Sequence, residues 1–311
     1  MGYRIRRREP VGRGLRRIVG EQLRKAAHAA RDRDRPQEDR VHEVRTRLKR
    51  SRAVLALIRA DGGEHVRRDD RRLRNAARIL SRPRDLAVQA HTFRLLGTRL
   101  QNEVPPRLLA GLSAAERRVR RQLRPDAVER ALRRAARTLR RVRRRLGDWD
   151  VPHGRRAISA GITRTYRQAR AGLEAVRSQP SPERFHGWRK QVKALANELR
   201  LIRDAIPELT TTLMPKVDQL GELLGEVHDL HCAQATAELH PRSFGRAEDS
   251  RAVLSAVEER RSALEREALA LAETVFSGRP RDVRALIKTG WRTWRRQEPA
   301  TAAAEAPATV H

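Results

Sequence analysis

The sequence predicts an all-α fold of two similar antiparallel helical bundles, on three observations. Apolar residues recur at steps of three and four, as in Val128, Leu132, Leu139, Val142 and Leu146. Ala, Leu and Arg, which favour helices, dominate the chain, and strand-type alternation is nearly absent. A pattern also returns at an offset of 144 residues, where His42, Arg45 and Lys49 recur as His186, Arg189 and Lys193. The register persists through Leu55/Leu199, Ile58/Ile202, Leu80/Leu224, Asp85/Asp229 and Leu86/Leu230, so two halves share one plan.

Periodicity and Pro/Gly punctuation place helices near 13–31, 37–60, 64–80, 83–101, 106–123 and 126–146 in the first half. The second half continues near 153–177, 182–205, 208–224, 226–239, 246–276 and 280–296. Pro36 and Pro125 suit first turns, and Gly147 and Gly278 suit C-terminal stops. Short connections imply antiparallel neighbours, hence bundles spanning about 13–146 and 153–296. Residues 1–12 form a basic extension. Residues 297–311 are Ala/Thr/Glu/Pro-rich without a period and are expected to be disordered.

Charge narrows the partners. The 311 residues hold 70 basic and 38 acidic side chains, a net +32, and all but six of the basic ones are Arg. Self-repulsion of that size weakens a compact state and makes most sense with a polyanion as partner. Guanidinium also forks onto phosphate oxygens in a way ammonium does not. Residues 1–150 carry 44 basic and 18 acidic residues, against 26 and 20 in residues 151–311, so one flank is far more cationic. The single Cys232 excludes an internal disulfide framework and fits a reducing cytosol. No apolar run is long enough to span a bilayer, and no secretory signal is visible, so a cytoplasmic protein with no membrane partner is expected.

At about 100° per residue, steps of three and four return to one side of a helix. His42, Arg45 and Lys49 therefore form one cationic stripe, as do His186, Arg189 and Lys193. Arg50 and Arg52 extend the first, and Lys190 thickens the second. Arg84 and His228 occupy matching positions one segment later, beside Asp85 and Asp229, which are expected to orient the cations. The histidines admit a structural reading, bonding a neighbouring helix, and a functional one, becoming cationic beside an anion.

The two His-x-x-Arg-x-x-x-Lys helices, Leu80-Ser81-Arg82-Pro83-Arg84-Asp85 and Leu224-Gly225-Glu226-Val227-His228-Asp229-Leu230 together resemble the CHAD family, the conserved histidine α-helical domain. The resemblance covers roughly residues 13–290. It implies two pseudo-symmetric four-helix bundles whose His-bearing helices line a basic cavity. It also implies binding of inorganic polyphosphate and association with polyphosphate granules. In one departure, Ala194 and Ala196 stand where the first half has Arg50 and Arg52, so the second stripe is shorter.

Other classes fit less well. A phosphoryl-transfer enzyme needs a Gly-rich phosphate loop or a carboxylate set for Mg²⁺, and Gly12-Arg13-Gly14 is no Walker loop. His228-Asp229-Leu230-His231-Cys232 crowds its ligand types into one turn with no second cluster, so no metal or cofactor is expected. Aromatic residues make up 3% of the chain, too few for a base-stacking platform, and no recognition-helix pair or zinc knuckle appears. The Arg run at 133–145 is expected to be a solvated face. The reading is a non-enzymatic polyphosphate binder using His42, Arg45, Lys49, Arg50, Arg52, Arg84, His186, Arg189, Lys190, Lys193 and His228. Non-specific DNA or RNA binding is the alternative.

Overall fold

The computed structural model describes residues 2–59, 62–99, 106–151, 155–239 and 247–297. The tail expected beyond Gln297, and His153 and His240, lie outside them. Among the described residues all regular structure is helical. The first half comprises α1 (Val11–Ala29), α2 (Gln37–Ile58), α3 (Gly63–Ile79), α4 (Ser81–Arg99), α5 (Pro106–Arg121) and α6 (Pro125–Arg144), followed by a 3₁₀ turn at Leu146–Asp148. The second comprises α7 (Arg155–Ser178), α8 (Pro182–Leu201), α9 (Pro207–Leu239), α10 (Ala247–Val275) and α11 (Pro280–Arg296).

The stripe-bearing helices start where local chemistry predicts. α8 opens with Ser181 accepting the Arg184 backbone N–H at 3.3 Å and with Pro182 in its first turn. α2 opens after Pro36, and Glu38 and Asp39 complement the partial positive charge of its N-terminus.

One expectation is corrected. Residues 208–224 and 226–239 are not two helices but the single α9, which runs through Gly225. A helical glycine costs about 1 kcal/mol relative to alanine, and burial against a neighbouring helix offsets that. The matching stretch of the first half does break, with Leu80 leaving helical geometry between α3 and α4. Pro83 stands in the first turn of α4 just past that break, and Val227 stands at its place in α9, which nevertheless runs through a proline of its own, Pro215.

Packing partners recur in the same order. α1 packs on α2 and α6, and α7 packs on α8 and α11. α4 packs on α5, and α9 packs on α10. The halves meet where α2 contacts α7 and α8, and where α4 contacts α9. One apolar core runs through both, from Ile5 and Leu15 to Trp188, Ile287 and Trp291. The basic extension is part of this body. Ile5 is buried and its N–H donates to Leu201 O at 2.9 Å, while Tyr3 donates to Arg50 O at 3.0 Å. No helix among the described residues is long and apolar enough to cross a membrane.

Candidate anion-binding site

Contacts of α2 with α8 and α4, and of α4 with α9, bring four separate sequence segments to one place. Val44 and Leu48 of α2, and Trp188 and Val192 of α8, point into the core and fix the rotation of both helices. The opposite faces carry the cations. Lys49 is held down to about 8, first by burial and then by Arg189, Arg45, Arg84 and Lys193, so cations from α2, α4 and α8 share one space. Lys49 nevertheless stays exposed, as do His42 and Asp85, whereas Arg45, Arg84, His186, Arg189, Lys193, His228 and Asp229 are half-buried. Side chains crowded by protein yet reached by water line an open groove.

The cations in it are largely uncompensated. Among the described residues, His42, Lys49, Arg84, Arg189, Lys190 and Lys193 have no carboxylate oxygen within 4.0 Å. Arg45 differs, because its Nη1 donates to Ala77 O at 3.0 Å and to Ser81 Oγ at 2.8 Å. Asp85 and Asp229 lie beside the arginines without pairing within that distance, and burial pushes both carboxyls above the usual range against the pull of Arg45, Arg84 and Arg189.

The histidines are held below the ordinary histidine value. Burial lowers His42, helped by Arg84 and Lys49, and lowers His186, helped by Lys190, Arg189 and Lys49. His228 rests against His186, with ring centroids 4.3 Å apart and planes tilted by 30°. Burial, with His186 and Arg189 beside it, takes His228 down to about 4. The His186 Nδ1 is buried without a hydrogen-bond partner, and so is the Arg189 Nε.

Two of the expected residues are not brought to the groove. Arg52 pairs with Asp70 of α3 at 3.1 Å, and Arg50 stacks over the Tyr3 ring at 5.7 Å. Arg50 is one residue past Lys49, about 100° round the helix from it, whereas Arg52 lies only about 20° from Arg45 and is drawn off by Asp70. The stripe therefore ends at Lys49. Lys190, about 40° from His186, stays exposed at the rim, where it lowers His186 and His228.

The structure adds residues that the sequence reading did not single out. Ser81 and the Ala77 carbonyl hold Arg45, and at the same repeat positions Gly221 and Gly225 leave room for α8 cations. A Cβ on Gly221 would meet Lys193 Cδ at 3.2 Å, and one on Gly225 would meet Arg189 Nε at 3.8 Å. Arg200, paired with Asp218, carries positive charge onward from Lys193 toward Arg50. The offset of 144 already aligned Ala77 with Gly221 and Ser81 with Gly225, and small residues at one register were the available signal. Cys232 Sγ sits 3.9 Å from His228 Nε2, and among the described residues no three His, Cys, Asp or Glu are grouped to hold a metal ion.

Residues 17–238 match the family model of the CHAD domain. The chain belongs to the CHAD family. The match takes in α2, α4, α8 and nearly all of α9, and stops before α10 and α11. Comparison with curated proteins and with solved structures returns no match.

Proposed function

We propose that this CHAD domain binds inorganic polyphosphate in the groove between α2, α4, α8 and α9, and that it does so without catalysing a reaction. The observation that carries the reading is the convergence of Lys49, Arg84, Arg189 and Lys193, from both halves of the repeat, with no carboxylate paired to them among the described residues. Like charges gathered this way repel one another, and an anion that threads among them removes the repulsion. Polyphosphate carries about one charge per unit and no base to read, so it needs dense, pre-positioned cations and no aromatic platform. The unpartnered Arg189 Nε and His186 Nδ1 are donors of the kind such a ligand satisfies. Membership of the CHAD family supports the same ligand. In a cell, attachment to polyphosphate granules follows from binding of this kind.

The test is displacement of a labelled polyphosphate of about 15 units at near-physiological salt. Unlabelled polyphosphate should compete at least tenfold better than duplex DNA of equal total charge. Replacing Arg189 and Lys193 by Ala should remove most of the binding. DNA that competes equally well, or a groove variant that binds normally, would sink the reading.

A further inference from the structure

We infer that the outer face of α6 is a second polyanion surface, separate from the groove and suited to the phosphate backbone of double-stranded nucleic acid. The inference does not rest on what the groove binds. α6 packs on α1 and α3 through Val128, Leu132, Ala135, Ala136, Leu139 and Val142. Its remaining surface carries eight arginines, at 130, 133, 134, 137, 140, 141, 143 and 144, and all eight are exposed. Arg133 has Glu129 at 3.5 Å, and the other seven make no ion pair among the described residues.

This arrangement opposes the helix that bears it. Arginines three and four apart on one face repel, and each such pair weakens a helix slightly. Three-and-four steps put Arg130, Arg134, Arg137, Arg141 and Arg144 on one side, along a rise of roughly 21 Å at about 1.5 Å per residue. That length covers about six phosphates of one strand of a duplex, spaced about 3.4 Å along its axis. At its C-terminal end the row reaches a cleft of about 480 Å³ between α1 and α6, where Arg143 and Arg144 meet Arg24 and Arg17. Glu21, in the same cleft, is engaged by Arg17 at 3.2 Å.

The shape selects among polyanions. The α6 face is open and straight, with no wall to guide a flexible chain, so a free polyphosphate would lose its conformational freedom there for few contacts. A duplex has already lost that freedom. A lipid surface calls for apolar side chains to insert, and the exposed large apolar residues among the described ones, Leu95, Leu239 and Leu286, all lie off α6. The groove and the outer face of α6 are presented by different helices. α6 touches the groove helix α2 on its inner side, where Glu129 pairs with Arg40 at 3.0 Å, and packs on neither α8 nor α9. One molecule can therefore hold both ligands at once. Recognition goes to the backbone, so no sequence preference is expected.

Anisotropy of a labelled 20-base-pair duplex, titrated with the full chain over a range of salt, tests this. Arg134→Gln/Arg137→Gln/Arg141→Gln should weaken duplex binding at least tenfold at 0.15 M salt. It should lower the slope of log affinity against log salt by about 2 to 3, since each lost phosphate contact removes about 0.9. The groove pair Arg189→Gln/Lys193→Gln should leave duplex affinity within twofold. For a 15-unit polyphosphate the two variants should exchange roles. Arg133→Gln/Arg140→Gln/Arg144→Gln, on the same face, must reproduce the loss, and unchanged thermal unfolding guards against a folding defect. Saturating short polyphosphate should leave the duplex bound. Displacement of the duplex by it, an α6 variant with normal duplex binding, or tighter binding to anionic vesicles than to duplex at matched charge would overturn the inference. Loss of polyphosphate binding alone would count only against the groove reading.

Discussion

The two halves of the repeat place the same arginine in different chemical states. In the first half α3 and α4 are separate, and Arg45 is tied by one nitrogen to Ala77 O and Ser81 Oγ. In the second half α9 is unbroken, glycines replace Ala77 and Ser81, and Arg189 makes no hydrogen bond or ion pair among the described residues. Arg189 also bears on Lys49, Arg84, Asp85, Asp229, His186 and Lys193, and it is the strongest charge acting on Lys49, Asp229 and Lys193. A repeat can thus conserve a charge while assigning one copy to hold the groove open and leaving the other uncommitted for a ligand.

The largest expected effect tests that division. Arg189→Ala should lower affinity for a short polyphosphate by roughly ten- to a hundredfold, the equivalent of about 1.5–3 kcal/mol for a hydrogen bond to a charged group. Arg45→Ala should cost less affinity but more thermal stability, because it removes the two bonds by which α2 is tied to Ala77 O and Ser81 Oγ. Isothermal titration and thermal unfolding of both variants would decide it. Equal losses of affinity would mean that the halves contribute alike.

pH separates the groups next. A bound polyanion favours the charged forms of lysine and histidine, so binding takes up protons wherever those groups are neutral in the free protein. Lys49, at about 8 when free, is half neutral at that pH, and Lys193 is lowered as well, first by burial and then by Arg189. Affinity should therefore fall as pH rises from 7.5 to 9.5, and Lys49→Arg/Lys193→Arg should flatten that step. His42 and His186, lowered below the ordinary histidine value, should add a second rise in affinity as pH falls from 7.5 toward 5.5. The His42→Gln/His186→Gln variant should lose it, and an unchanged lower step would assign both histidines a structural role. In the free protein the sign reverses. A base lowered by folding binds more protons when unfolded, so stability is full above about 6.5, the ordinary histidine value, and declines as pH falls toward the folded value of His228, about 4. Added polyphosphate should raise the melting temperature more at pH 6 than at pH 8.

A smaller effect comes from exchanging the supports. Gly225→Ser puts the first half's side chain beside Arg189, in space that accepts a Cβ. A hydroxyl there gives Arg189 a partner, so melting temperature should rise while affinity falls a few-fold. Ser81→Gly should do the converse at Arg45. Affinity unchanged in both exchanges would show that local hydrogen bonds do not set ligand readiness. The smallest effect is expected at Arg52, which is turned away to Asp70. Arg52→Ala should leave affinity unaltered and change stability by at most about 1 kcal/mol, the range of partly exposed ion pairs.

The helical class, the two-fold repeat and the pairs His42/His186, Arg45/Arg189 and Lys49/Lys193 were legible from the sequence. They rest on local spacing, and the turn of a helix per residue is nearly constant. The same constancy carried further would have removed Arg50 from the stripe, but not Arg52, which lies about 20° from Arg45 and is taken away by Asp70 of α3. Pro83 was likewise legible as a break, but Gly225 was not legible as continuous helix. Whether a buried glycine ends a helix depends on what packs over it, and the α8 side chains over Gly225 are far away in sequence. Only the tertiary structure decided that the stripes share one groove, that Lys49 is crowded enough to fall to about 8, and that Arg45 is tied while Arg189 has no partner among the described residues. These depend on which helices meet and at what rotation, and that is set by Val44, Leu48, Trp188 and Val192 packing into the core, not by the cations themselves.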